Sequence, residues 1–173
     1  KKMNSTWTAN EGVVRDHSTA HYGKVETAIS FLRSAIETEP TDFEAIQTSY
    51  DDLRAAIDSF VKGEEASASS ENLTLADGIG LLKKALLAFQ KGDEKQGKAA
   101  MNKFITIWPS VEGDVSTNNP SLYTKVESQS PVIMVKGKDK EYQDQLESLI
   151  SELEQIDTSG SYTFFDAMLI LLR

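Results

Sequence analysis

Apolar residues recur along this chain in steps of three and four, which is the spacing of one face of an α-helix. The clearest stripe consists of Phe43, Ile46, Tyr50, Leu53, Ile57 and Phe60. Thr41 and Asp42 stand just before it, where N-terminal capping residues belong. Gly63 follows it, as is typical just beyond a helix C-terminus. The pattern predicts an amphipathic helix of about 20 residues.

Four further stripes have the same spacing. They run from Val25 to Ile36, from Leu75 to Phe89, from Met101 to Val115 and from Tyr142 to Ile156. Pro109 lies within the third stripe, so we expect a kink there or the start of a new helix. The fold class that follows is all-α, an elongated helical bundle of about five helices with short connections.

Polar stretches at 64–72, 116–120 and 129–139 are predicted to connect these helices. The last of them contains Pro131 and a short apolar run. Because a single strand would have no partner to pair with, we expect a short extended segment near 130–136, packed on the bundle.

One internal similarity is visible between residues 50–64 and 79–93. Both segments carry an apolar stripe, then a phenylalanine, then Lys-Gly and an acidic residue. This similarity suggests a duplicated helical hairpin, although any helix C-terminus has some of these features.

The chain is expected to form one helical domain over residues 11–160. Residues 1–10 are mostly polar and predict a flexible N-terminal tail in which Trp7 is isolated. Residues 161–173 are nearly all apolar after Asp166. They are too few to cross a bilayer, which takes about 20 residues. They are either the start of a membrane helix or a C-terminal apolar helix that closes the core.

Composition limits the possible functions. The chain has 18 Lys and Arg against 27 Asp and Glu, a net charge of −9, which disfavours nucleic acid as a partner and favours cations or basic proteins. There is no cysteine, which excludes thiolate catalysis and thiolate metal sites. No Gly-x-Ser-x-Gly or nucleotide-binding glycine pattern occurs, so we do not expect an enzyme.

Two groups of residues are candidate metal ligands. His17 and His21 are four residues apart and would share a face if one helix carried both, with Glu11 and Asp16 as further oxygen ligands. The competing interpretation, which we favour on sequence alone, is two ordinary surface histidines.

The second candidate group contains Glu112 and Asp114, which flank Gly113. They could not face the same way on a regular helix, but Gly113 would let the backbone depart from one. Together with Glu127 and Glu26 they could form an oxygen-rich site for ferric iron or another hard cation. The competing interpretation is that Glu112 caps or hydrogen-bonds a neighbouring helix.

Parts of the second half of the chain resemble a known family. Residues 162–172 form an apolar stretch that leads to Arg173. In bacterial members of the high-affinity ferric permease family, such a stretch begins the first membrane helix and leads into an Arg-Glu-Gly-(apolar)-Glu motif, of which this sequence holds only Arg173. The stretch from Leu81 to Glu127, with its Trp108-Pro-Ser-Val-Glu-Gly-Asp-Val115 segment, is similar to the helical domain that often precedes that helix.

The resemblance implies an extracytoplasmic domain at the outer face of the cell membrane, joined to the membrane through residues beyond Arg173. It implies that the domain assists iron uptake, by binding ferric iron or by docking an iron-delivery lipoprotein and a haem peroxidase of the uptake system. Two alternatives remain open: a metal-free helical interaction or sensor module, and a small hard-cation-binding protein unrelated to transport.

Overall fold

The structure, a computed structural model, describes residues 2–65 and 73–170, with the side chains of 6–65 and 73–156. These residues form eight helices and no strand. The helices are α1 (Lys2–His17), α2 (Thr19–Glu37), α3 (Phe43–Lys62), α4 (Leu75–Gln90), α5 (Glu94–Val111), α6 (Gly113–Asn118), α7 (Pro120–Lys136) and α8 (Lys140–Ile170). The predicted all-α class is confirmed, with eight helices in place of about five.

Helix ends follow the local sequence. The Asp42 side chain accepts a hydrogen bond of 3.0 Å from the amide of Ala45 and so caps α3, which ends at Gly63 with a positive φ of 67°. Thr74 and Asp77 form a reciprocal capping box at the start of α4. These predicted starts and stops are confirmed because they depend on contacts between residues close in sequence.

The expected extended segment near 130–136 is wrong, because α7 runs through it as a continuous helix to Lys136. Pro131 lies inside this helix and is buried, as is Ile133. The interior proline suggested a break. Burial of a helical face that includes Leu122, Val126 and Ile133 outweighs that local preference. Pro109 likewise lies within α5, and the new helix begins four residues later, at Gly113.

The chain divides into two compact units. Unit 1 comprises residues 1–72 and contains α1 to α3. Its core is the cluster Val25, Ala28, Ile29, Leu32 and Leu53, with Trp7, Ile46 and Ala56 packed against it. The expectation that Trp7 is isolated in a polar tail is therefore wrong. The predicted domain limits, a tail at 1–10 and one domain at 11–160, differ from the boundary between these two units and stay a prediction.

Unit 2 comprises residues 73–173 and contains α4 to α8. In it α4 packs against α5 and α8, while α7 packs against α5, α6 and α8. Two ion pairs of 2.5 Å join its helices, Lys83 with Glu154 and Lys125 with Glu152. Its fully buried side chains include Leu82, Met101, Phe104, Val115, Ile133, Leu146, Leu149 and Leu153.

Within the residues that the structure describes, no helix is both long enough and apolar enough to cross a membrane. Arg173 lies outside the described residues. So do the side chains of the predicted membrane-helix start at 161–173, although the backbone of α8 is described as far as Ile170.

We expect Gly97→Ala to destabilise unit 2 by about 1–3 kcal/mol, because an added Cβ would lie 2.5 Å from Cδ1 of the buried Phe89. Gly80→Ala is the matched control. It also lies in a helix, but nothing is within 4 Å of its added Cβ, so it should stabilise by up to about 1 kcal/mol. Urea unfolding of both variants checks this. Equal changes in the two variants would contradict the close packing of α4 on α5.

Candidate functional site

A cluster of aromatic and acidic residues joins α5 to α7 in unit 2. Trp108 is only 4% exposed, and its indole Nε1–H donates a hydrogen bond to Oε1 of Glu127. Its ring stacks on Tyr123, with centroids 6.4 Å apart and an interplanar angle of 22°. Phe104 packs on the ring at 5.4 Å. A buried indole N–H needs an acceptor, so the Glu127 carboxylate serves this tryptophan.

Glu112 lies one helical turn after Trp108, at the junction between α5 and α6. Its backbone amide donates a 3.0 Å hydrogen bond to the carbonyl of Trp108, and its side chain is 1% exposed. Asp114, in contrast, is exposed. The structure therefore buries Glu112 next to the turn of Trp108 and pairs Glu127 with the Trp108 indole, while Asp114 lies at the surface. The predicted metal site that combines Glu112, Asp114 and Glu127 stays a prediction.

Unit 1 contains the same cluster, between α1 and α2. Nε1–H of Trp7 donates a hydrogen bond to Oε2 of Glu26, and the ring stacks on Tyr22 at 5.9 Å and 16°. Glu11 lies one helical turn after Trp7. Arg15 lies over the Tyr22 ring, with Cζ 4.8 Å from the centroid. Glu26 is thus a member of the unit 1 cluster.

Glu11 in unit 1 is affected by its burial and by the charge of Glu26. The pKa of Glu11 is raised, first because burial disfavours its charged form and second because of the negative charge of Glu26. Arg15 opposes this shift and lowers the pKa of Glu11. A carboxylate pair of this kind is relieved by a proton or by a cation.

The two clusters correspond to a direct repeat in the sequence. Residues 7–26 align without a gap to residues 108–127, and eight of the twenty positions are identical. The identical pairs are Trp7/Trp108, Glu11/Glu112, Gly12/Gly113, Val14/Val115, Tyr22/Tyr123, Lys24/Lys125, Val25/Val126 and Glu26/Glu127. Sequence reasoning missed Trp7 and Tyr22 as site residues and grouped Glu11 with the histidines, and this repeat was the signal that could have found the cluster.

The similarity that suggested a duplicated hairpin, between 50–64 and 79–93, has another origin. The two segments are the C-terminal parts of α3 and α4, each followed by a glycine with positive φ, Gly63 and Gly92. The similarity between these segments therefore reflects two helix C-termini that end in the same way.

The two histidines do not share one helix. His17 ends α1, and Ser18 caps the start of α2 before His21. His21 is buried, with Nδ1 2.9 Å from the Ser18 hydroxyl and Nε2 3.3 Å from the Ser59 hydroxyl. Both rings contact the ring of Phe60, at centroid distances of 5.5 and 5.6 Å. These contacts join α3 to the junction of α1 and α2.

No group of three or more His, Asp or Glu able to hold a metal ion is found in the part of the chain that the structure describes. Each cluster instead offers two glutamates beside a tryptophan. A hard cation usually takes at least six oxygen ligands, so two carboxylates would leave most positions to water or to a chelator.

Comparison with known proteins finds one similarity. Iron permease EfeU of Bacillus subtilis (strain 168) is 21% identical to this chain over 172 residues, which cover 96% of the chain and 35% of that protein. The chain thus spans about a third of the length of that relative. No family model matches the chain, and no solved structure matches it. The similarity supports a relation to iron permeases loosely, and it agrees with the resemblance noted in the sequence.

We expect Glu127→Ala to destabilise unit 2 by about 1–3 kcal/mol, because the buried Trp108 N–H loses its acceptor. Glu127→Gln keeps an acceptor oxygen and should cost less. Asp114→Ala, at an exposed neighbouring position, should change stability by no more than about 0.5 kcal/mol. Urea unfolding followed by tryptophan fluorescence measures all three. A Glu127→Ala variant as stable as Asp114→Ala would contradict this role of Glu127.

The raised pKa of Glu11 predicts a pH dependence. Its pKa is higher in the folded than in the unfolded chain, so the ionised form weakens the fold, and this penalty disappears as the pH falls toward the ordinary value of 4.5. Glu11→Gln should therefore raise the melting temperature at pH 7 and have less effect near pH 4. Thermal unfolding across this range tests it. A variant that is destabilised equally at every pH would show that the charge of Glu11 is not the cause.

Proposed function

We propose that this chain is an extracytoplasmic part of an iron permease and assists iron uptake at the outer face of the cell membrane. The similarity to an iron permease, which extends over 96% of the chain, supports this proposal. The attachment to the membrane would be through residues beyond Arg173, where the family's Glu-Gly-(apolar)-Glu motif is expected to follow.

The observation that carries the proposal is the pair of glutamates in each repeat. Ferric iron is a hard cation that prefers oxygen ligands, and the net charge of −9 attracts cations to the chain. Glu112 and Glu127 in unit 2, and Glu11 and Glu26 in unit 1, would each supply two carboxylates. Two protein ligands bind a metal ion only weakly. The iron would therefore keep most of its chelator or water and could be passed on.

Docking is the second part of the proposal. The family resemblance implies that a lipoprotein and a haem peroxidase deliver the iron, and an acidic surface suits basic patches on such partners. In unit 2 the exposed Asp114 would belong to such a surface, whereas the buried Glu112 would not. Contacts between exposed charges weaken with salt, which distinguishes docking from ligation inside the clusters.

A metal-free helical interaction module is the second candidate function. A specific observation favours it: in each cluster one glutamate already accepts the hydrogen bond of a tryptophan, which is a sufficient structural reason for that carboxylate. His21 likewise contacts two serine hydroxyls within unit 1.

Uptake of radioactive iron tests the proposed function. The full gene product is expressed in cells that lack their own iron-uptake system, either intact or with residues 1–173 replaced by an unrelated helical domain. We expect the replacement to reduce uptake at low iron concentration by at least about tenfold, since one lost interaction of 1.4 kcal/mol already accounts for that factor. Unchanged uptake would contradict the proposal.

The role of the clusters is tested in the same cells and on the purified chain. Glu112→Gln/Glu127→Gln should weaken the binding of ferric citrate and reduce uptake, while the exposed control Asp114→Asn should leave ferric binding within the clusters intact. His17→Ala/His21→Ala should also leave ferric binding unchanged. If the parent chain binds no iron while its replacement still abolishes uptake, docking is the function of the chain and ligation is excluded.

A further inference from the structure

The repeat extends beyond the two clusters. When residue numbers of unit 1 are raised by 101, the end of α1 coincides with the end of α6. The start of α2, at Thr19, then coincides with the start of α7, at Pro120. The capping residues also coincide, Ser18 for α2 and Asn119 for α7. The third helices, α3 and α8, align with a shift of 96. Their apolar stripes then match as Ile46/Tyr142, Tyr50/Leu146, Leu53/Leu149, Ile57/Leu153 and Phe60/Ile156. Unit 1 thus repeats α5 to α8.

Unit 2 has one helix that this alignment leaves without a counterpart. Helix α4 packs against both α5 and α8, which are not packed on each other in the described part of unit 2. Its Lys83 forms a 2.5 Å ion pair with Glu154 of α8. In the described residues of unit 1, α1 packs on α2 and α2 on α3, and no helix lies in the position of α4.

Equivalent apolar residues therefore differ in burial. Leu146 and Leu153 of α8 are both 0% exposed, while their counterparts Tyr50 and Ile57 of α3 are 51% and 43% exposed. Phe43 and Val61 extend the same side of α3 and are more exposed still. We call Phe43, Tyr50, Ile57 and Val61 the α3 stripe. Contiguous exposed apolar residues of this kind mark a surface that binds another element.

Acidic residues border the α3 stripe on one side. Glu44, Asp51 and Asp58 follow one another at intervals of seven residues, so they lie along one edge of the helix. With the shift of 96, Asp58, whose carboxylate also lies 3.9 Å from Arg54 of its own helix, corresponds to Glu154, the residue that pairs with Lys83 of α4. The surface is thus complementary to an amphipathic helix that carries lysines beside its apolar side, as α4 carries Lys83 and Lys84.

We propose that such a helix covers the α3 stripe, and that it belongs to the same polypeptide, in a segment that precedes α1. The order of the repeat supports this source, because α4 directly precedes α5, and α1 is equivalent to the C-terminal part of α5 together with α6. A second copy of the chain is a poorer source, since its α4 is already held against α5 and α8. The helix completes a four-helix arrangement in unit 1 like that of α4, α5, α7 and α8. This inference does not depend on a function in iron transport.

Thiol labelling tests the proposal, because the chain has no cysteine of its own. Tyr50→Cys places a thiol on the α3 stripe, and Leu87→Cys places one on α4 at a matched exposure, 51% against 52%. Maleimide reaction rates are measured in the 173-residue chain and in the full gene product, with circular dichroism as the check of folding. We expect both thiols to react quickly in the 173-residue chain. In the full gene product, the thiol at position 50 should react at least about tenfold more slowly, while that at position 87 is unchanged.

Deletion of the residues before α1 from the full gene product should restore the fast reaction at position 50. Equal rates in the two proteins, or protection that survives this deletion, would overturn the proposal. Protection already present in the 173-residue chain would overturn it too: if it increases with protein concentration a second copy is the occupant, and if it does not another part of the chain is. A gene without an amphipathic helix before α1 would also overturn it.

Discussion

The hydrogen bond from a tryptophan indole to a glutamate on the next long helix is the interaction on which this chain depends in both of its units. A buried indole N–H without an acceptor is costly, and a carboxylate removed from water is costlier still unless it receives hydrogen bonds. Trp7 with Glu26, and Trp108 with Glu127, meet both requirements with one contact. The stacked tyrosine one turn before each glutamate adds a second contact between the same two helices.

This interaction also brings a second carboxylate into place. Glu11 and Glu112 lie one turn after the tryptophans, on the side of the helix that faces the next long helix. The contact that each tryptophan makes with a glutamate of that helix therefore brings a second glutamate near the first. In unit 1 burial first, and the charge of Glu26 second, raise the pKa of Glu11. In unit 1 the same residues therefore hold the helices together and favour the protonated form of Glu11. A structural role for these glutamates and a role in handling iron do not exclude each other.

The two units show how one sequence pattern can have different surroundings. The three-helix repeat is shared, but α8 is covered by α4 while the equivalent face of α3 is exposed. Leu153 and Ile57 occupy the same position in the repeat and differ in burial for this reason. Exposure at such a position reflects a missing neighbour, because the residue itself is as apolar as its buried counterpart.

The helices could be predicted from the sequence because their apolar spacing and their caps are local. The stripe from Phe43 to Phe60, its Asp42 cap and the Thr74–Asp77 capping box all have the predicted structure. Glu112 and Glu127 were also recognised as candidates. The helical structure of 130–136 was not predicted, because Pro131 suggests a break when local rules alone are applied, and only the buried face of α7 outweighs it.

The partners of the site residues were decided by tertiary structure. Trp7 looked isolated because Tyr22 and Glu26, its two partners, lie on another helix, and His21 looked like a surface residue because Ser59 and Phe60 lie on α3. Sequence by itself determined which segments are helical and which residues carry charge, since these are properties of neighbours along the chain. Which carboxylates share a cluster, and which apolar face is left exposed, depends on how helices far apart in sequence pack, and only the folded chain determines that.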